Sequence, residues 1–215
     1  MNISEINWAS PMYVGEYLDS VETTAQILKE QRGLIEQVVD MLFGAWQENR
    51  WVFVIGNGGS AGTATHLAAD LIKTVIDDPT AKGLKALSLV DNTPLASATT
   101  NDWGWDKLYD VVLHPYWEPG SVLVVLSVHG GSGQDKAGAW SQNILRAIKF
   151  AKDHGGQTIG LAGFDGGAMK ELCDVCIVVP ADSTPLVESL HVVIHHLITF
   201  ALKAKIKAFL EGGRG

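Results

Sequence analysis

The chain has 215 residues, 47% of them hydrophobic and 19% charged, with a formal net charge of −8. That length supplies one sizeable core and suits a single domain over residues 1–215, while the composition excludes a disordered or collagen-like chain. The acidic balance argues against a nucleic-acid groove, which needs clustered Lys and Arg, and no uninterrupted apolar run reaches the ~18–20 residues of a membrane span.

The opening segment, Met1 to Tyr13, lacks the basic, apolar and small-residue order of a secretion signal, so a cytoplasmic location is expected. From Val14 to about Trp46 apolar residues (Val21, Ile27, Leu28, Leu34, Ile35, Val38, Val39, Leu42) recur at threes and fours, predicting helix. Gly33 weakens its middle, so two abutting helices fit as well as one. Residues 1–50 read as a helical segment that packs on the sheet or on a neighbouring subunit.

Apolar runs at Trp51–Ile55, Ala86–Val90, Val122–Ser127, Thr158–Ala162 and Val175–Val179 predict five strands. Helical patterns follow at Ser60–Ile76, Ala137–His154 and Leu186–Leu210, with shorter pieces at Pro94–Thr100 and Gly167–Leu172. Continuous apolar strands alternating with helices predict a three-layer αβα sandwich around a five-stranded parallel sheet. A ligand then belongs beyond the carboxyl ends of the strands.

Small polar and glycine residues gather at those ends. The first turn, Gly56-Asn57-Gly58-Gly59-Ser60-Ala61-Gly62, joins a buried strand to a helix. Glycines let backbone approach an anion, and a helix N-terminus offers free N–H groups. The spacing fits neither a Walker A loop nor a dinucleotide fingerprint, and a turn without a ligand is the alternative. The third turn, Ser127-Val128-His129-Gly130-Gly131-Ser132, repeats the pattern. Together the two turns would form a polar cup, with a solvated loop histidine as the alternative for His129.

The two cysteines, Cys173 and Cys176, form a lone Cys-x-x-Cys entering an apolar strand and are read as buried structural thiols. His66 and Asp70 stand four apart, on one face of the helix after the first turn. Glu188, His191, His195 and His196 share the last helix. Either these histidines are packed and hydrogen-bonded to carbonyls or water, or they join His66 and Asp70 in a metal or acid–base site.

Several motifs, in one order from Trp51 to the end, resemble the phosphoheptose isomerases of the sugar isomerase (SIS) family. They are Gly-Asn-Gly-Gly-Ser-Ala with His66-x-Ala-Ala-Asp70, Asn101-Asp102-Trp103-Gly104, Leu161-Ala162-Gly163-Phe164-Asp165-Gly166-Gly167, Leu172-Cys173-Asp174-Val175-Cys176-Ile177, and Thr184-Pro185-Leu186-Val187-Glu188-x-x-His191 through His196. The resemblance implies a flavodoxin-like fold and an aldose–ketose isomerase acting on sedoheptulose 7-phosphate or a related ketose phosphate by enediol proton transfer. It implies Zn²⁺ on His66, Asp70, Glu188 and His196, and Asp70 and His196 as the acid–base pair. Asn57, Gly58, Gly59, Ser60, Asp102, Ser127, His129 and Ser132 would hold the substrate. A homotetramer with sites near subunit interfaces is also implied, while the charge and the apolar run lengths predict no nucleic-acid or membrane partner. A non-catalytic SIS module that binds a sugar phosphate or a protein partner as a regulator is the alternative.

This chain departs from the family pattern at three places. Asp70 stands for Glu, shortening the base by about 1.5 Å. Glu188 stands for Gln, and Ser127–Ser132 for Ser-Thr-Ser-Gly-Asn-Ser. On an ideal helix His195 lies nearer Glu188's face than His196 does, whereas the family pattern selects His196.

Overall fold

Five short apolar segments pair into one parallel sheet in the computed structural model of the protein, which describes residues 13–131 and 141–212. They are β1 (Trp51–Gly56), β2 (Lys85–Ser88), β3 (Val122–Ser127), β4 (Gln157–Gly163) and β5 (Val175–Val179), ordered β2-β1-β3-β4-β5. This is the flavodoxin-like order, whose switch point lies between β1 and β3. Register pairs Gly56 with Leu126 and Ser127 with Ala162, so the turns after β1, β3 and β4 emerge at one edge.

Alternation along β1 divides the core into two faces. Val52 and Val54 pack with α2 (Arg32–Gln47), α3 (Gly59–Ala69) and α8 (Thr184–Gly212), whereas Phe53 and Ile55 pack with α5 (Leu108–Leu113) and α6 (Gln142–Asp153). Residues burying on both faces explain why the strands read as continuous apolar runs. Each large side chain so buried contributes about 1.5–3 kcal/mol. The remaining helices are α1 (Tyr13–Leu28), α4 (Thr93–Trp103) and α7 (Met169–Leu172).

The break foreseen near Gly33 is a 3₁₀ turn at Lys29–Gln31. It has a purpose in packing. The Gln31 amide donates to Val178 O at 2.5 Å and accepts from Val178 N at 2.9 Å, covering edge strand β5 as another strand would. Asn92 caps α4 by accepting from Leu95 N at 3.1 Å, with Pro94 in the first turn.

The last helix, α8, is 29 residues long and, by length and composition alone, apolar enough to cross a bilayer. Half of that apolar stretch is instead buried within the protein, with Leu186, Leu190, Ile194, Ile198, Leu202 and Ile206 all in the core.

Candidate active site

The first glycine-rich turn leads into α3, and α8 lies alongside α3 on the same face of the sheet. A Cβ on Gly59 would stand 2.4 Å from Glu188 Oε1, so the Glu188 carboxylate rests against the first turn of α3. That is a favourable place for a negative charge at a helix N-terminus. The second glycine-bearing turn is equally tight. Gly130 has φ +61°, and a Cβ there would fall 1.9 Å from Gly166 O, so β3's turn packs directly on the turn after β4.

Farther along the α3–α8 seam, about 10 Å from Gly59 at 1.5 Å per residue, four polar side chains meet. One ligating atom from each of His66, Asp70, His195 and His196 lies within 4.8 Å of the others. Asp70 Oδ2 is 3.7 Å from His66 Nε2 and 3.8 Å from His196 Nε2. Both distances are too long for hydrogen bonds. The other oxygen, Oδ1, accepts from Thr74 Oγ1 at 2.8 Å. Asp70 opens a π-helical turn, Asp70–Thr74, that continues α3. Such turns recur at functional sites.

The seam leaves buried polar atoms without partners. Among the described residues, Asp70 Oδ2 and both ring nitrogens of His195 are buried with no hydrogen bond. Each such atom costs about 1–3 kcal/mol unless something satisfies it. Burial pushes His195 down to about 4, with His196 and His66 adding to the effect and the Asp70 charge opposing it. Its imidazole is therefore neutral at pH 7 and can donate a lone pair. Imidazole nitrogens and a carboxylate are the donor types that zinc takes, at about 2.0–2.2 Å. Ligating atoms would then stand about 3.3 Å apart in a tetrahedral site, close to the spacings of Asp70 from His66 and His196. The residues present fit a divalent ion. His191 points elsewhere, its Nε2 lying 3.1 Å from Ala162 O, and burial pushes it down to about 4.

A model of the SIS domain family matches residues 16–163. The chain belongs to the SIS domain family. Among SIS proteins and other relatives, it is 40% identical over 187 residues to the lincomycin biosynthesis protein LmbN of Streptomyces lincolnensis, a match covering 85% of this chain and 66% of that one. It thus spans just under two thirds of that relative's length. It is 32% identical over 185 residues to a phosphoheptose isomerase of Aliarcobacter butzleri, covering 86% of this chain and 92% of that one. The solved phosphoheptose isomerase of Neisseria gonorrhoeae shares the fold, with a TM-score of 0.78 at 24% identity over 89% of this chain and 97% of that one.

Within this SIS fold the sequence-derived residues occupy different places. His66, Asp70 and His196 converge, whereas Glu188 stands outside that set, at the mouth of α3. Gly58 and Gly59 open the turn into α3, and Ser60 is buried in its first turn. Asn57 is committed to structure: its amide exchanges hydrogen bonds with Asn143 at 3.1 and 2.9 Å, and its oxygen accepts from Tyr109 at 3.1 Å. Ser127 is buried, and its hydroxyl accepts from Gly131 N at 3.3 Å. His129 is exposed, its ring 4.3 Å from that of Phe164. Asp102 lies in the last turn of α4, exposed, accepting from Asn101 at 2.7 Å. Ser132 lies outside the described residues.

Three participants were missed from sequence: Thr74, Tyr109 and Asn143. The spacing of Thr74, four residues after Asp70, was the available signal for the first. The others meet Asn57 across separations of 52 and 86 residues, which no local pattern reveals. Cys173 and Cys176 are free thiols, buried and partly buried respectively, and burial pushes both upward, Cys176 to about 11. That is the behaviour of structural cysteines.

Proposed function

We propose that the protein is an aldose–ketose isomerase acting on a phosphorylated sugar, with sedoheptulose 7-phosphate or a related ketose phosphate as substrate. The observation that carries this reading is Asp70: one oxygen braced by Thr74, the other unpartnered among imidazoles at the seam of two helices. Curated relatives named phosphoheptose isomerase, matched over most of both chains, support it. So does the convergence of His66, Asp70 and His196, which favours this reading over a regulatory SIS module.

In this account the Asp70 carboxylate, 12% exposed, removes the proton from the carbon beside the substrate carbonyl, and His196 returns a proton to the neighbouring carbon or its oxygen. His196 is 42% exposed and His66 49% exposed, so substrate can reach both. A divalent ion such as Zn²⁺, on His66, Asp70 and His196 with Glu188 as the fourth ligand by the family pattern, would polarise the carbonyl and offset the charge of the enediolate. The turns carrying Gly58, Gly59, Ser60, Ser127, His129 and Ser132 hold the phosphate and hydroxyl groups, and Asp102 orients the sugar. Backbone N–H groups do this without net positive charge, which suits a chain of net charge −8.

Residues 1–215 act as one SIS domain in the cytoplasm, assembled as a homotetramer. Val193, Leu197 and Phe200, spaced along α8 and each at least half exposed, support burial against another copy. The 40% identity to a lincomycin biosynthesis protein favours a second reading, the same chemistry on a ketose phosphate of a specialised pathway. A screen of C5–C8 ketose phosphates with purified protein, with and without Zn²⁺, tests both. Isomerisation of a C7 ketose phosphate or of another member of the series is expected, and inactivity toward all of them under both conditions would overturn the proposal.

A further inference from the structure

The family pattern assigns the fourth metal position to Glu188, yet the side chain that completes the cluster is His195. It is 0% exposed, and neither ring nitrogen has a hydrogen-bond partner among the described residues. Its ring centroid lies 4.6 Å from that of His66 and 4.1 Å from that of His196. A histidine buried in an apolar helix without partners is a net cost unless it ligates something. Leucine or isoleucine, which fill the neighbouring buried positions of α8 at Leu190, Ile194, Ile198 and Leu202, would pack there without that cost. Glu188, meanwhile, rests against Gly59 at the start of α3 and is not among the four clustered residues.

We propose that His195 is a metal ligand in this chain, so that the ion is held by His66, Asp70, His195 and His196, with Glu188 left at the mouth of the site. The proposal rests on the metal-dependent reading of the site and refines its ligand set. Three neutral imidazoles and one carboxylate leave a divalent ion with a net charge of +1, where two carboxylates would cancel it. Such an ion would keep more of its pull on a substrate oxygen. A set rich in nitrogen selects Zn²⁺, Co²⁺ or Ni²⁺ over Mg²⁺. Glu188, freed from the ion, is available to substrate hydroxyls near the first turn.

The test uses the full chain, stripped by a chelator and reloaded. X-ray absorption on the Zn²⁺-loaded wild type should count three imidazoles. His195→Leu should lower Zn²⁺ affinity at least about 100-fold, somewhat beyond the 10–100-fold typical of losing an outer-shell partner, and change the visible spectrum of the Co²⁺ form. Glu188→Gln should move Zn²⁺ affinity less than about threefold. A count of two imidazoles, or full affinity in His195→Leu with affinity lost in Glu188→Gln, overturns the proposal while leaving a metal isomerase intact. Wild-type protein that binds no divalent ion but isomerises the sugar overturns the metal set altogether. If His195→Leu does not fold, the imidazole count on the wild type decides alone.

Discussion

Replacing Thr74 by valine removes one hydroxyl and keeps the shape of the side chain. That hydroxyl donates to Asp70 Oδ1 at 2.8 Å, and Oδ2 is the oxygen left facing the imidazoles. A hydrogen bond to a charged group contributes about 1.5–3 kcal/mol. Part of this is recovered when the carboxylate swings toward His66 or His196, so about 1–2 kcal/mol should appear in the barrier, or roughly 5–30-fold in kcat. Thr74 acts through Asp70, so KM should change little. Steady-state kinetics on the preferred ketose phosphate give the split, and circular dichroism checks the fold. Thr74→Ser should restore most of the rate, since it returns the donor. Wild-type kcat in Thr74→Val, or a loss that Thr74→Ser fails to rescue, would refute the bracing argument.

Two further predictions concern stability. His191 sits at about 4 in the folded protein against an ordinary 6.5, so the unfolded chain binds the extra proton first as pH falls. Stability should therefore decline from about pH 6.5 down to about pH 4 and then level, with His191 alone accounting for about 3 kcal/mol. His191→Gln, which keeps a donor for Ala162 O and cannot titrate, should flatten part of that slope in urea unfolding at pH 7 and 4.5, and an unchanged slope would count against it. Gly130→Ala places a Cβ 1.9 Å from a backbone oxygen at a φ of +61°, so it should cost at least about 2 kcal/mol in denaturant unfolding. A loss under 0.5 kcal/mol would show that the two turns are not in firm contact.

Much of the scaffold was legible because burial on both faces makes a strand a plain apolar run. Val122–Ser127 and Val175–Val179 were read with the bounds they adopt. β2 ends two residues earlier than its apolar run, at Ser88: Leu89 N still donates to Val54 O at 3.2 Å, but Leu89 and Val90 already form the turn toward α4. α5 went unread because six residues, Leu108–Leu113, are too few to show a helical period. The His66–Asp70 pair was readable from its spacing, and so was the crowding of histidines on the last helix. Which of those histidines faces the pair was not readable, because adjacent helix positions differ by about 100° and small changes in helix rotation decide between them. The structure brings both His195 and His196 to Asp70.

The measurement that bears most directly on the whole account is exchange of substrate carbon-bound hydrogen with solvent. Purified protein is incubated with a C7 ketose phosphate in D₂O and followed by NMR, beside Asp70→Asn. Deuterium should enter at the carbon next to the carbonyl with the wild type, and incorporation should fall at least about 10³-fold in the variant. Equal incorporation by a folded Asp70→Asn protein would contradict a carboxylate base at the α3–α8 seam.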